Sequence, residues 1–267
     1  MVNEKLSEAL KEIEYFLLDM DGTVYLGDEL IGEMDQTLRF LREKGKKLIF
    51  LTNNSSKSNE KYIEKLKRLN LFGEGDEVYT SGMATADMLV ERYPEETVYL
   101  LGTEALKEEF ISKGVKLIED GQPDIAVLAY DTELTYEKLC KFTTAIKKGA
   151  LYIATHPDVN CPAPEVFVPD IGSFMAMIEL STGLKPIEIV GKPYDGMGKA
   201  LMKRFDAGNN KFIMVGDRLH TDIKFGNNCG FYSALVLSGE SALDDVKKSD
   251  ARPTFILDSL NDIKNYF

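Results

Sequence analysis

The chain is poor in the residues that build disulfide scaffolds and thiolate metal centres. Its 267 residues include three cysteines, two histidines and no tryptophan. Cys140, Cys161 and Cys229 are odd in number and far apart, which argues against a disulfide framework and favours a reducing compartment. We therefore expect a cytoplasmic protein. His156 and Cys161 do not have the spacing of zinc ligands, so a soft-metal site is not supported.

Long apolar runs and a surplus of positive charge are also missing. No stretch approaches the roughly 18 apolar residues that span a bilayer. The N-terminal segment MVNEKLSEALKEIEYF lacks the basic-then-apolar order of a signal peptide. The formal net charge of −12 argues against nucleic-acid partners, because phosphate backbones recruit Lys and Arg. A small phosphorylated substrate stays compatible with this charge, since its site needs only a few local cations or a metal.

Strand-like and helix-like segments alternate along the chain. In the N-terminal part we predict a strand over residues 15–19, a helix from Met34 to Gly45, a strand over KKLIFLTNN and a helix capped by Ser58. The same order returns in IEIVGKP, DGMGKALMKRF, KFIMVGD, RLHTDIKFGNNCG and SALVL. Such alternation predicts a doubly wound parallel α/β sheet with helices on both faces.

The middle of the chain has its own cycle of strands and helices. It spans roughly 100 residues, which is enough for a second small α/β domain. The segments with polar strand ends lie on both sides of it. We therefore predict a discontinuous core domain, residues 1–81 and 184–267, with a smaller α/β domain inserted at residues 82–183.

Polar residues stand at four predicted strand ends of the core. They are Asp19 and Asp21 after YFLL, Thr52-Asn53-Asn54 after LIFL, Lys192 in VGKP, and Asp217 with Asp222 in MVGDRLHTD. In an open parallel sheet, ligands bind beyond the carboxyl ends of the strands. Clustered carboxylates repel one another unless a cation compensates, and Mg²⁺ prefers oxygen ligands and bridges to phosphate. We expect a Mg²⁺ and phosphate site there, with Lys192 and Thr52 facing the other side of the phosphate.

These segments resemble the four motifs of the haloacid dehalogenase (HAD) superfamily in its phosphatase form. DMDGT, LTNN, GKP and GDRLHTD stand in the family's order, with a long insertion between the second and third. TNNSS, ATHPDVNCP and PDIGSFMAMIELSTG further resemble the NagD-like, or 4-nitrophenylphosphatase, branch. The resemblance runs along nearly the whole chain. It implies a HAD-like, Rossmann-like core with an inserted C2-type cap.

The resemblance implies roles for the residues of the first motif. Asp19 matches the nucleophile, which becomes an aspartyl phosphate, and also a metal ligand. Asp21 matches the general acid/base, and its backbone carbonyl, rather than its carboxylate, is the expected metal ligand. Met20 is placed with the phosphate-binding residues, although its side chain should point into the packing. Gly22 would permit the turn after the strand, and Thr23 would brace it by hydrogen bonding.

The later motifs supply the remaining implied roles. Thr52 and Lys192 match the residues that orient and neutralise the phosphoryl group. Asp217 matches the direct Mg²⁺ ligand. Asp222 matches either an outer-sphere metal ligand or the residue that orients the lysine.

Substrate selection is expected in cap segments 155–162 and 169–174, which combine polar residues with Pro and Gly. His156 stands where many relatives would have Asn. Alternatively, Pro162 and Pro164 only stiffen a loop. The acidic residues argue weakly against a second anionic group on the substrate, so sugar, nucleoside or alcohol leaving groups stay open. The predicted phosphate- and substrate-binding side chains are Asn53, Asn54, His156, Asp158, Asp170 and Ser173.

Together these features predict a Mg²⁺-dependent phosphomonoesterase for small phosphorylated metabolites. It would be a 4-nitrophenylphosphatase-like or sugar or nucleotide phosphatase, and a homodimer is compatible with the sequence. A phosphotransferase or mutase with the same phosphoenzyme stays open. From a different class, so do a receiver-like signalling module and a non-catalytic phosphate-binding protein. Receivers, however, are about half this length and carry the phosphoacceptor at their third strand.

Overall fold

The computed structural model describes residues 2–56, 59–161 and 167–267. Ser58, predicted as a helix cap, and Pro162 and Pro164, predicted to stiffen a loop, lie outside the described residues. The chain divides into two compact units. The first comprises residues 1–52, 59–79 and 192–267, and the second comprises residues 53–58 and 80–191.

The first unit is built on a parallel six-stranded sheet, as predicted for the core. Its strands are β1 (Tyr15–Leu18), β4 (Lys47–Thr52), β5 (Glu77–Thr80), β13 (Phe212–Gly216), β14 (Tyr232–Val236) and β15 (Phe255–Leu257), in the order β15-β14-β13-β1-β4-β5. All four residues of β1 are buried, as expected for a strand with helices on both faces. Leu18 pairs with Val215 on one side and with Phe50 on the other. This register brings the carboxyl ends of β1, β4 and β13 to one level of the sheet.

Helices and short turns complete the first unit. In the helix Met34–Glu43, which lies between β1 and β4 in the sequence, Met34, Leu38 and Leu41 recur at helical spacing and are fully buried in the core. Gly45, with a φ of +75°, follows the end of that helix, where the left-handed conformation favours glycine. The elements are α1 (Val2–Glu12), the antiparallel pair β2 (Tyr25–Leu26) and β3 (Glu29–Leu30), α2 (Met34–Glu43), α3 (Asn59–Arg68), α8 (Gly196–Phe205), α9 (Lys224–Cys229), α10 (Leu243–Lys248) and 3₁₀ turns at Asn209–Lys211 and Leu260–Tyr266.

The second unit has its own parallel sheet of five strands. They are β6 (Thr97–Leu101), β7 (Lys116–Leu117), β8 (Ile125–Leu128), β9 (Leu151–Ala154) and β12 (Glu188–Ile189), in the order β12-β9-β8-β6-β7. An antiparallel pair, β10 (Asn160–Cys161) and β11 (Val168–Pro169), lies outside this sheet. The inserted second sheet agrees with the predicted fold class.

One predicted core strand belongs to this second sheet. The segment IEIVGKP forms β12, which pairs with β9, and Val190 donates its N–H to the Ala154 carbonyl. The prediction that it joins the core sheet was therefore wrong. The second unit accordingly extends to Gly191, beyond the predicted limit at residue 183, and also takes in residues 53–58.

Side-chain caps begin the helices of the second unit. Thr80, Thr103 and Thr135 each accept a hydrogen bond from a backbone N–H in the first turn, and Asp170 accepts one from the next residue. The helices are α4 (Ser81–Arg92), α5 (Glu104–Ser112), α6 (Tyr136–Lys147) and α7 (Ile171–Thr182). Within the described ranges, no helix has the length and apolarity needed to cross a bilayer.

Candidate active site

The chain turns sharply at the carboxyl end of β1. Asp19 donates its N–H to the Val215 carbonyl at 2.9 Å, which continues the sheet pairing one residue past the strand. Met20 is 4% exposed and packs into the core, whereas Asp19 and Asp21 on either side of it are more exposed. The alternation of a strand thus persists beyond β1. Gly22 then adopts a φ of +84°, which permits the predicted turn.

The backbone, rather than a side chain, closes this turn. Thr23 and Val24 donate their N–H groups to the Met20 carbonyl, at 3.2 and 2.9 Å. Thr23 is fully buried, and among the described residues its Oγ1 has no hydrogen-bond partner. The predicted bracing by the Thr23 hydroxyl is therefore wrong.

The Lys192 ammonium is buried between two carboxylates. Its Nζ lies 2.6 Å from Asp19 Oδ1 and 2.6 Å from Asp222 Oδ1, and it donates to the Leu51 carbonyl at 3.3 Å. Burial lowers the pKa of this ammonium, but the two carboxylates outweigh that effect and raise the pKa above its ordinary value. Lys192 therefore remains a cation at neutral pH and holds Asp19 in place.

Asp222 lies in a π-helical turn, Leu219–Ile223, that precedes α9. A continuous α-helix over RLHTDIKFGNNCG was predicted, and the wider turn corrects it. Asp222 is fully buried and accepts hydrogen bonds from Lys192 and from the Arg218 N–H, at 3.2 Å for the latter. A Cβ at Gly216 would overlap the Asp222 side chain, so the end of β13 leaves room for Asp222 only because residue 216 is glycine. Single π-helical turns such as Leu219–Ile223 recur at functional sites.

Asp217 presents one carboxylate oxygen that has no hydrogen-bond partner among the described residues. The residue is 2% exposed, and its Oδ2 accepts the Glu240 N–H at 2.7 Å. Its Oδ1 is buried and has no hydrogen-bond partner in the part of the chain that the structure describes. A Cβ at Gly22 would lie 2.5 Å from Oδ2, and one at Gly239 would also collide. Two glycines thus form a cradle around a carboxylate whose free oxygen suits a metal ion.

Asp19, Asp217 and Asp222 form a carboxylate triad. One ligand atom of each lies within 4.8 Å of the others. Burial raises the pKa of Asp19 to about 6, against the opposing effect of Lys192, and burial together with the Asp19 charge raises that of Asp217 to about 6. Crowded carboxylates of this kind are stabilised by a hard cation with oxygen ligands. The triad therefore can hold a divalent metal ion.

Asp21 is exposed and its carboxylate is outside the triad. Partial burial raises its pKa, while the positive charges of Lys65 and Arg218 act in the opposite direction. Sequence reasoning missed both cations. Arg218 directly follows Asp217 in the fourth motif and was recognisable there. Lys65 had no such signal, because it reaches the site from α3, where its Nζ lies 3.8 Å from the centre of the Tyr25 ring.

In the second unit, four of the predicted substrate-binding residues meet one another. Asn53 Nδ2 donates to both carboxylate oxygens of Asp158, at 3.1 and 3.2 Å. His156 Nδ1 lies 3.7 Å from Asp158 Oδ2, and its Nε2 lies 3.7 Å from Asp170 Oδ1. Burial raises the pKa of Asp170 to about 7, although the Ile171 N–H donates to its carboxylate at 2.6 Å.

Burial separates these residues into two groups. His156 is fully buried and Asp170 is 3% exposed, and direct contact of either residue with substrate stays a prediction. Asp158 keeps a side-chain exposure of 21%. Asn54 accepts hydrogen bonds from Ser56 N and Oγ, and Ser173 Oγ donates to the Val159 carbonyl.

Known proteins resemble the chain over nearly its whole length. Family models described as haloacid dehalogenase-like hydrolase and HAD-hydrolase-like match residues 16–116 and 189–263. The acid sugar phosphatase of Staphylococcus aureus strain MRSA252 is 34% identical over 253 residues, which is 95% of this chain and 97% of that protein.

Solved structures extend this similarity to the fold. The 4-nitrophenylphosphatase of Thermotoga maritima has 43% identity and a TM-score of 0.91, covering 96% of this chain and 98% of that one. The glycerol phosphate phosphatase of Mycobacterium tuberculosis, solved in complex with calcium, has 30% identity and a TM-score of 0.88. That match covers 96% of this chain and 76% of the other.

Proposed function

The chain belongs to the haloacid dehalogenase-like hydrolases, in their NagD/4-nitrophenylphosphatase branch, and on this premise we propose that it is a Mg²⁺-dependent phosphomonoesterase. The observation that carries the proposal is Lys192, buried between Asp19 and Asp222, two carboxylates that lie within 4.8 Å of Asp217. Its substrates would be small phosphate esters. The names of the relatives support this class, since they include a sugar phosphatase and a glycerol phosphate phosphatase.

Asp19 and Asp217 are the proposed direct metal ligands. By resemblance to the family, the Asp21 backbone carbonyl would join them, and Asp222 would act through Lys192 or through water. The free, buried Oδ1 of Asp217 supports this assignment. The calcium complex of the glycerol phosphate phosphatase supports a metal ion with oxygen ligands in general, because Ca²⁺ and Mg²⁺ both prefer oxygen. When bound, Mg²⁺ neutralises charge on the phosphoryl group and so lets an anionic carboxylate approach it.

The first chemical step is attack by Asp19. One of its carboxylate oxygens forms a bond to phosphorus while the bond from phosphorus to the ester oxygen breaks. Asp21 gives its proton to that leaving oxygen, and its raised pKa suits a general acid. Lys192 keeps the nucleophile oriented, and the Thr52 hydroxyl donates a hydrogen bond to an oxygen of the phosphoryl group.

The second step releases phosphate from Asp19. Asp21, now a carboxylate, takes a proton from a water molecule, whose oxygen attacks the phosphorus of the aspartyl phosphate. The bond between phosphorus and Asp19 breaks, and both carboxylates return to their starting states. One acid/base group thus serves both displacements, which is the advantage of the covalent route.

A phosphotransferase or mutase would use the same first step. It would pass the phosphoryl group to a second hydroxyl instead of water. Free phosphate and transferred product, measured with a sugar acceptor in excess, separate the two reactions. A receiver module or a non-catalytic protein is not favoured, because the relatives that cover nearly the whole chain carry the names of phosphatases.

The deciding experiment is hydrolysis of 4-nitrophenyl phosphate by the full chain. We expect turnover with Mg²⁺, none with EDTA and none for Asp19→Asn. Wild-type rates for Asp19→Asn would reject Asp19 as the nucleophile. The cytoplasmic location also stays a proposal, supported by three cysteines that form no disulfide among the described residues.

A further inference from the structure

The chain passes between its two units at the proposed catalytic residues themselves. One passage is the peptide bond between Thr52 and Asn53, and another is the bond between Gly191 and Lys192. In each case the catalytic residue belongs to the first unit and its covalent neighbour to the second. Whatever fixes Asn53 and Gly191 therefore limits where the Thr52 hydroxyl and the Lys192 ammonium can lie.

Asn53 is held on both its side chain and its backbone. It is 5% exposed, and its amide donates to both oxygens of the Asp158 carboxylate. Its carbonyl accepts a hydrogen bond from the fully buried Ser81 hydroxyl, at 2.5 Å. Two hydrogen bonds from one amide to the same carboxyl group fix the orientation of the amide as well as its distance.

Gly191 packs against Asn53, Thr155 and His156. It donates its N–H to the Thr155 carbonyl at 2.7 Å. A Cβ at this position would lie 2.7 Å from Asn53 Oδ1, 2.7 Å from Thr155 O and 2.8 Å from His156 Cβ. The two passages of the chain are thus in contact with each other within the second unit, and only glycine fits between them.

The buried His156 ring supports this contact from one side. Asp158 donates its N–H to His156 Nδ1 at 3.4 Å, and His156 Nε2 faces Asp170 Oδ1 at 3.7 Å. His156 and Asp170 are thus placed to hold Asp158.

We propose that Asn53 and Gly191 are positioning residues, which act on the reaction through Thr52 and Lys192 and are themselves held by Asp158 and His156. The inference rests on the proposed phosphatase function. A misplacement of about 1 Å costs on the order of 10²-fold in rate when reacting groups must be aligned. Loss of the Asn53–Asp158 hydrogen bonds should therefore lower kcat and leave KM nearly unchanged.

A double-mutant cycle tests whether Asn53 acts through Thr52. We expect Asn53→Ala to lower kcat for 4-nitrophenyl phosphate about 10-fold or more in the wild type. In a Thr52→Ala background, the same substitution should have no further effect on kcat. An equal loss in both backgrounds would overturn the proposal, since a general loss of folded enzyme does not depend on Thr52.

An exchange of partners provides a second test that does not depend on truncation. Asn53→Asp places two carboxylates together and should lower kcat. Adding Asp158→Asn restores a donor and an acceptor in reversed positions and should recover most of that loss. Failure of the exchange to recover kcat would count against the hydrogen bond as the positioning element.

Two matched variants control for truncation and for added bulk. Gln122→Ala removes an amide of the second unit that donates to the Pro123 and Ala145 carbonyls. Gly82→Ala adds a Cβ against the flexible end of Leu106, in contrast to Gly191→Ala, which meets backbone oxygen. Both controls should keep wild-type kcat, whereas Gly191→Ala should lower it. An inactive wild type would reject the phosphatase itself, and an active wild type with an unaffected Asn53→Ala would reject only the positioning role.

Discussion

Lys192 and Asp222 form a buried ion pair between groups 30 residues apart, with 2.6 Å between Nζ and Oδ1. Their side chains are 2% and 1% exposed. A buried pair gains little net stability over apolar residues, but removing one partner leaves a buried charge uncompensated. Asp222 therefore is needed both to keep Lys192 in the fold and to aim it at Asp19.

We expect Asp222→Asn to reduce the free energy of unfolding by about 3–5 kcal/mol, the usual cost of breaking a buried pair. Activity should fall as well, because Lys192 would lose one of its two carboxylate partners. Urea unfolding and kcat measure the two effects. Asp250→Asn, which removes an exposed carboxylate that pairs with Lys224, should change neither. A fully stable Asp222→Asn would show that the pair is not needed for folding.

Asp21→Asn should separate the two steps of the reaction. Loss of the acid/base should lower kcat by about 10²-fold or more for every substrate, because water attack on the aspartyl phosphate needs a base. kcat/KM reports the first step only, so it should fall steeply for an alkyl phosphate and much less for 4-nitrophenyl phosphate, whose leaving group needs no proton. Steady-state kinetics on the two esters measure this. Equal losses of kcat/KM would contradict Asp21 as the general acid.

Gly22→Ala should impair metal binding through Asp217. The new Cβ would approach Asp217 Oδ2 to 2.5 Å, on a backbone with a φ of +84°. We expect a lower kcat and a higher Mg²⁺ concentration for half-maximal activity. Gly27→Ala is the control, since Gly27 has a φ of +60° but no atom near its Cβ position. It carries the backbone strain alone, so a similar Mg²⁺ shift there would trace the effect to strain.

The central strand and the four motifs could be predicted because their signals are local. Tyr15–Leu18 is apolar throughout and runs into Asp19, which is what a buried parallel strand that ends at a site requires. The alternation of strands and helices then gave the parallel sheet and the inserted second sheet. Asp19 and Asp217 follow the neighbouring strands β1 and β13 and lie close together, as predicted from strand ends that meet at one edge of a sheet. Lys192 also contacts Asp19, although it follows β12 of the second sheet.

The assignments that failed depend on tertiary partners. The segment around Glu188–Ile189 has the pattern of a strand, and this pattern does not indicate whether the strand pairs with the core sheet or with β9. The inward direction of Asp222 depends on a π-helical turn, which periodicity at 3.6 residues does not indicate. The burial of His156 could not be predicted either, because a polar loop segment gives no sign that its own unit packs around it.

Asp170 should make stability depend on pH in a direction opposite to that of most carboxylates. Burial raises its pKa from 3.8 to about 7 in the folded protein. Between about pH 4 and pH 7 the unfolded chain has released a proton that the folded chain retains, so the free energy of unfolding falls as pH rises through this window. The contribution is complete below pH 4 and lost above pH 7.

Asp170→Asn isolates this effect, because Asn keeps an oxygen for the Ile171 N–H at the start of α7 but cannot titrate. Relative to the wild type, the variant should gain stability steadily from pH 4 to pH 7 and stay level above it. Asp124→Asn should show a difference that is constant over this range, since hydrogen bonds from the Thr97 N–H and hydroxyl lower the pKa of Asp124 from 3.8 and its pH dependence therefore lies below pH 4. Urea unfolding across pH 4–8 measures both differences. A difference for Asp170→Asn that is constant with pH would mean that Asp170 is ionised in the folded protein throughout this range.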